Sequence, residues 1–245
     1  MRIIKEILAR IFALWAMLWF VSTMLIFFIP IWITGMWPEP KRTDILLKII
    51  RFWMGFYLFI IGFRLKVKGK ENFKKETSYI VVCNHNSLMD VPVSSTSIPG
   101  ISKTIAKIEM SRIPIFGMIY KRGSVLVDRS SDESRKESYN KMKAVLEMGM
   151  HMCIYPEGTR NKTGQSLQRF HDGAFRLAEE SGFPIMPSVI FNTTKALPAN
   201  KTFYYWPAKT EIHFLDPVSV NSHSSAELKE IVFNKMKEHY LMPKD

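Results

Sequence analysis

The sequence has little of what several common chemistries require. It holds two cysteines in 245 residues, Cys83 and Cys153, far apart in the chain. Two isolated thiols supply neither a CxxC pair nor a zinc framework, and they fit a reducing compartment. No G-x-S-x-G elbow offers a serine nucleophile and no H-E-x-x-H offers a zinc pair. Neither a Walker loop nor G-x-G-x-x-G is present, which removes the usual support for nucleotide chemistry. Internal repeats and low-complexity tracts are also missing. Acidic residues are scarce: 22 Asp and Glu stand against 34 Lys and Arg, giving a net charge of +12. With 47% hydrophobic residues the chain is neither disordered nor fibrous.

The position of that charge says more than its size. Residues 1–75 contain 13 basic and four acidic residues, a net +9, leaving +3 for residues 76–245. Nucleic-acid binders concentrate charge on a folded basic face, whereas here it accompanies the most apolar third of the chain. Lys and Arg flanking hydrophobic segments suit an anionic lipid surface instead, so a bilayer is the expected partner and nucleic acid is not.

No charged residue occurs between Ile11 and Pro38. About 20 apolar residues suffice to cross a bilayer, so this run is long enough, with Pro30 expected to kink or end the helix. A second apolar stretch, Phe52 to Phe63, is too short to span and reads as a helix lying in the interface. Basic residues flank the first run on both sides, so a hairpin in one leaflet competes with a full crossing. The expected division is a two-helix membrane anchor over 1–63 and a folded domain over 64–245.

From residue 64 short β-rich runs alternate with helical ones. Strands are predicted at 64–68, 79–83, 103–106, 124–127, 152–155, 185–191 and 211–215. Helices are predicted at 87–94, 110–120, 132–148, 172–181 and 226–240. This alternation predicts an α/β fold, a single mixed, largely parallel sheet flanked by helices. The charged helix 132–148 reads as a solvated face, with docking of an acidic carrier protein as an alternative use.

Two constellations carry chemistry. Asn84-His85-Asn86-Ser87-Leu88-Met89-Asp90 follows the apolar run YIVVC. Five residues apart on one helix, His85 and Asp90 would not meet. With His85 on the strand-to-helix loop and Asp90 in the first helical turn, the carboxylate reaches the imidazole and fixes its tautomer. Such a base can activate a substrate hydroxyl directly; the competing reading of Ser87-x-x-Asp90 is an ordinary capping box. Tyr155-Pro156-Glu157-Gly158-Thr159-Arg160-Asn161 follows a second strand. There Gly158 permits a tight turn and Arg160 can fork onto a phosphate, or pair with Glu157 in a plain surface salt bridge. Cys83, two residues before His85, is a small core hydrophobe or, less simply, a nucleophile.

In this order the blocks resemble the 1-acyl-glycerol-3-phosphate acyltransferases, a family of glycerolipid acyltransferases. NHNSLMD matches an N-H-x4-D block. Lys107-Ile108-Glu109-Met110, Ile113-Pro114, Gly117, Gly123 and Val127-Asp128-Arg129 resemble a second block, YPEGTRN a third, and Pro184-Ile185-Met186-Pro187 a fourth. His171-Asp172 stand before Gly173 where the family often has Lys, a departure that bears on acceptor identity. The resemblance implies acyl transfer from acyl-CoA or acyl-carrier protein to the sn-2 hydroxyl of 1-acyl-glycerol-3-phosphate, giving phosphatidic acid without cofactor or metal. It implies His85 as base and Asp90 as its support, with Glu157, Gly158, Thr159, Arg160, Lys107 and Arg129 on the substrate. The active site would face the cytoplasm at a membrane. Another lysolipid acceptor, or a non-catalytic lipid-binding role, would leave the same blocks in place.

Overall fold

The computed structural model describes residues 2–128, 130–221 and 223–242. Seven strands form one sheet: β1 (Arg64–Lys68), β2 (Ile80–Cys83), β3 (Ser102–Lys107), β4 (Ser124–Val127), β5 (His151–Ile154), β6 (Ile185–Phe191) and β7 (Lys209–Phe214). Their order is β1-β7-β6-β2-β5-β3-β4. Every pair is parallel except β6 with β7, so five strands run one way and the β7–β1 edge runs the other. The central strands are buried throughout, which is why β2 and β6 read in the sequence as unbroken apolar runs. Pro187 is tolerated within β6 because its carbonyl accepts from Leu215 on the β7 side, beyond the end of β7. Its missing N–H faces that same side, so no bond to β2 is lost.

Helices cover both faces. The period-2 alternation of the strands sends Val81, Cys83, Met186 and Ile190 to one core and Ile80, Val82, Val189 and Phe191 to the other. The first core is closed by α1 (Arg2–Ile33), α2 (Lys41–Ile60) and α3 (Asp90–Ser97). The second is closed by α5 (Asp132–Glu147), α6 (Gly173–Ser181) and α8 (Ser225–Leu241). Two short helices, α4 (Phe116–Gly123) and α7 (Thr193–Ala196), complete the set. The chain leaves β2 toward β3 on one side and leaves β5 toward β6 on the other, so helices of opposite faces diverge between β2 and β5. That divergence is a topological switch point, and in open α/β sheets ligands usually bind at the strand carboxyl ends beside one.

The sequence expectations need three corrections. First, the second apolar segment, expected to lie in an interface, also packs into the core. Among the described residues α1 alone is long and apolar enough to cross a membrane, and it continues past Pro30 to Ile33, followed by a 3-10 turn. α2 is a core helix: Leu46, Leu47, Ile50, Trp53, Met54, Tyr57 and Leu58 are buried, and the Trp53 indole donates to Thr23 Oγ1 at 2.8 Å. Burying side chains of this size stabilises by about 1.5–3 kcal/mol each, so one face of α2 belongs to the core, while Phe52, Phe56 and Phe59 are exposed on its other face, as the expected interfacial helix requires. Second, α3 begins at Asp90, not at Ser87. Third, the helix expected over 110–120 begins only at Phe116, after a 3-10 segment over Ile108–Arg112. Pro114 disfavours helical backbone at Ile113, which accounts for the break.

α1 packs through a narrow seam. Ala9, Ala13 and Ala16 are small enough to bring its backbone close to the domain, and Thr23 and Ile31 continue the stripe. The remaining face exposes Ile7, Leu14, Leu18, Val21, Leu25, Ile26, Ile29 and Trp32. Both ends are held. The Tyr205 N–H donates to the Ala9 carbonyl, and Arg122 donates to the carbonyls of Ile31 and Trp32.

Candidate active site

Three loops meet at the carboxyl ends of β2, β5 and β6. His85 stands on the loop after β2 and Asp90 opens α3, so the loop supplies the reversal that a continuous helix would deny them. His85 Nδ1 lies 2.9 Å from Asp90 Oδ2. The same oxygen accepts the N–H groups of Asn86 at 2.6 Å and Ser87 at 2.7 Å. Asp90 Oδ1 accepts the Thr193 hydroxyl at 2.6 Å. Asp90 is 0% exposed, and a buried carboxylate is tolerable only when donors surround it in this way. Since the carboxylate accepts, Nδ1 carries the hydrogen, and Nε2 is left as the basic nitrogen. The His85 side chain is 16% exposed, and Nε2 has no hydrogen-bond partner among the described residues. The Tyr155 ring lies against the imidazole with centroids 4.5 Å apart, while its hydroxyl pairs with Ser94 Oγ at 2.7 Å. Burial pushes the Tyr155 phenol well above its ordinary range, which keeps it neutral.

The turn after β5 adds a second anchor. Gly158 takes φ +71°, a left-handed conformation that favours glycine, and its N–H closes the turn on the Tyr155 carbonyl at 3.0 Å. Glu157 is 3% exposed. Its Oε1 accepts the His85 N–H at 2.9 Å and its Oε2 accepts the Gln168 N–H at 3.2 Å. The Asn161 N–H returns to the His85 carbonyl at 2.7 Å. Glu157 therefore ties the two loops together, and it neither pairs with Arg160 nor faces outward to meet a ligand. Burial raises its carboxyl to about 7, against the two N–H donors and the nearby imidazole, which favour the anion.

The other residues singled out from the sequence are arranged around this centre. Arg160 is half-buried and makes no ion pair with a described carboxylate. Thr159 is exposed beside it. Lys107 is the last residue of β3 and is exposed at the same end of the sheet, one strand beyond β5. Arg129 lies outside the described residues. Cys83 is fully buried beside Cys153, and their mutual contact together with burial pushes its thiol upward, the opposite of an activated nucleophile.

The sequence reading missed three supports. Thr193 follows β6 and gave no motif signal. Asn84 uses its side-chain amide as a strand partner, donating to the Ile190 carbonyl at 2.9 Å and accepting the Ile190 N–H at 2.7 Å. Ser87 Oγ donates to the Leu197 carbonyl at 2.6 Å. An Asn beside a His at a strand end is the one available signal, since a buried amide needs partners for both its groups.

The family described as Acyltransferase matches residues 64–191, more than half of the chain. Among curated proteins, a 1-acyl-sn-glycerol-3-phosphate acyltransferase of Cocos nucifera is 30% identical over 177 residues, covering 71% of this chain and 56% of that one. One of the same description from Haemophilus influenzae is 26% identical over 189 residues, 75% of each. The match thus spans little more than half the length of the Cocos relative. The crystal structure of the 1-acyl-sn-glycerophosphate acyltransferase of Thermotoga maritima superposes with a TM-score of 0.81 over 100% of both chains at 24% identity, a likeness of fold. On the extent of the family match, the chain belongs to the acyltransferase family.

Proposed function

We propose that the protein transfers an acyl group from a thioester donor to the free hydroxyl of 1-acyl-glycerol-3-phosphate, giving phosphatidic acid. The observation that carries this reading is the His85–Asp90 pair, with Nδ1 held at 2.9 Å on a side chain that keeps 16% of its surface exposed. His85 Nε2 takes the proton of the acceptor hydroxyl as its oxygen attacks the thioester carbonyl. Asp90 stabilises the imidazolium that forms, and the proton passes to the leaving thiolate as the carbon–sulfur bond breaks. No acyl-enzyme is needed, and general-base assistance of this kind is worth about 10²–10⁴-fold. Arg160, on a turn fixed by Gly158 and Glu157, offers a planar fork to the acceptor phosphate. Lys107 adds a second cation at the same sheet end. The descriptions of the Cocos and Haemophilus relatives support this choice of acceptor.

The membrane reading follows from α1. Between Ala9 and Ile31 the helix rises about 33 Å, roughly the hydrocarbon thickness, yet both ends are bonded to the same folded domain. A helix held along the domain in this way lies in one leaflet with its apolar face in lipid, and the active site stands at the lipid–water boundary. Purified protein supplied with acyl-CoA or acyl-carrier protein and a panel of lysolipids tests the substrate. Preferred conversion of lysophosphatidic acid is expected. Preference for an uncharged or amino-headgroup lysolipid would overturn the acceptor, and no transfer from either donor would overturn the reaction.

A further inference from the structure

The acceptor side of His85 carries Arg160 after β5 and Lys107 at the end of β3. The opposite side, beyond β6, carries a second group of cations that the proposed reaction leaves unused. There the chain from Asn192 to Lys209 folds against the start of α1 and forms an open, solvent-exposed cleft of about 540 Å³. Lys5, Lys195, Lys201 and Lys209 line it, and no carboxylate does. Of the lining lysines, Lys201 pairs with Glu6, which also pairs with Arg10. Lys5, Lys195 and Lys209 make no ion pair among the described residues, so the cleft holds an unneutralised positive charge.

The cleft is built on the scaffold. The Trp206 N–H donates to the Ala196 carbonyl at 2.9 Å and the Tyr205 N–H to Ala9 at 3.2 Å, closing the loop on itself and on α1. Aromatic rings steer two of the ammonium groups: Lys5 Nζ lies 5.0 Å from the Trp206 ring centroid and Lys201 Nζ 4.3 Å from that of Tyr204. The same loop is tied to the catalytic turn through Thr193 on Asp90 and Leu197 on Ser87. At about 4.8 Å per strand, β6 and β7 stand roughly 5 and 10 Å from β2, so the cleft flanks the base at the same end of the sheet.

A concave surface lined by cations of one sign concentrates polyanions. A volume of 540 Å³ exceeds what one phosphate fills. The acceptor has one phosphate, which the proposed function places beyond β5. A thioester donor of the CoA type carries several, at the end of an arm that extends from the reacting sulfur. Two anionic substrates can then meet at His85 without competing for one set of cations. Resting on the proposed function, we infer that the lysine-lined cleft between α1 and the 192–209 loop binds the phosphate-bearing end of the thioester donor. Phosphate could also arrive as an anionic lipid headgroup, since the exposed apolar face of α1 begins beside Lys5, and the two sources are separable.

Titrating CoA alone into the full-length protein reads the cleft without requiring turnover. Lys195→Ala/Lys209→Ala should weaken CoA binding about tenfold or more. Lys195→Arg/Lys209→Arg should bind as the wild type does. In steady state the double alanine variant should raise the donor KM by the same factor without moving the acceptor KM. Co-sedimentation with phosphatidylglycerol vesicles should not change. Unaltered CoA affinity, or a loss of vesicle binding in its place, would overturn the inference, as would a wild-type protein that does not bind CoA. Wild-type protein that binds CoA through these lysines yet transfers nothing would count against the proposed reaction alone.

Discussion

Around Asp90 the interior is polar, and along α1 the exterior is apolar. Each region inverts the usual rule, and each does so at low cost for a different reason. Asp90 is fully buried, but its two oxygens accept from His85, Asn86, Ser87 and Thr193, so the charge leaves water for a prearranged set of donors. The outer face of α1 exposes more than half of Leu18 and of Leu25, with no neighbour to cover either. An apolar face of that extent marks an interaction surface. The first region gains from excluding water and the second from exchanging it for lipid. Changes in the first should therefore appear in turnover and stability, and changes in the second in partitioning.

The largest effect is expected at Asp90. Asp90→Asn presents an amide to donors that all require an acceptor, so the imidazole loses its fixed tautomer. Turnover should fall about 10³-fold or more, read as kcat in the transfer assay. Next comes Glu157, whose carboxyl is raised from 4.5 to about 7 in the folded protein. Between those values the folded state holds the extra proton, so the contribution is full below pH 4.5 and is lost as pH rises toward 7. The loss amounts to about 3 kcal/mol. Denaturation midpoints at pH 5 and pH 8 should show that decline in the wild type and a much flatter response in Glu157→Gln.

Thr193 should matter somewhat less. Thr193→Val leaves Asp90 Oδ1 buried without a donor, a cost of about 1–3 kcal/mol, and kcat should fall roughly ten- to a hundredfold. Thr193→Ser, which keeps the hydroxyl, should recover most of it; failure of that rescue would make Thr193 a packing residue. The smallest effect on folding is expected on α1. Leu18→Gln should change unfolding free energy by less than about 0.5 kcal/mol. It should still weaken partitioning onto vesicles about tenfold, since a buried leucine is worth about 1.5 kcal/mol or more. Loss of folding with unchanged partitioning would remove the contrast between the two regions.

Much of this was legible because burial writes itself into sequence. β2, β5 and β6 are covered on both faces, so IVVC, HMCI and IMPSVIF are nearly unbroken apolar runs followed by polar turns. The His85 and Gly158 turns sit at the ends of such runs, where a parallel sheet presents its loops. α2 was harder to read. Lys48 and Arg51 interrupt its apolar pattern, yet Arg51 reaches the carbonyls of Ile98 and Gly100 at 2.7 and 2.6 Å while the buried face continues past it. Only the folded helix shows those charges off the buried face, beside the exposed Phe52 and Phe59. Glu157 hides its role for a related reason: within E-G-T-R the acid and the arginine look like one surface unit, but Glu157 is buried on the His85 and Gln168 N–H groups while Arg160 is half-buried. Thr193 was invisible, because one hydroxyl far along the chain from Asp90 leaves no local pattern.

The most direct test of His85 as the base is a single-turnover measurement of acyl transfer to lysophosphatidic acid by wild type and His85→Ala, with both proteins confirmed folded and saturated with donor and acceptor. Removal of the base should slow the chemical step at least about 10²-fold while both substrates still bind. Equal single-turnover rates for the two proteins would contradict it.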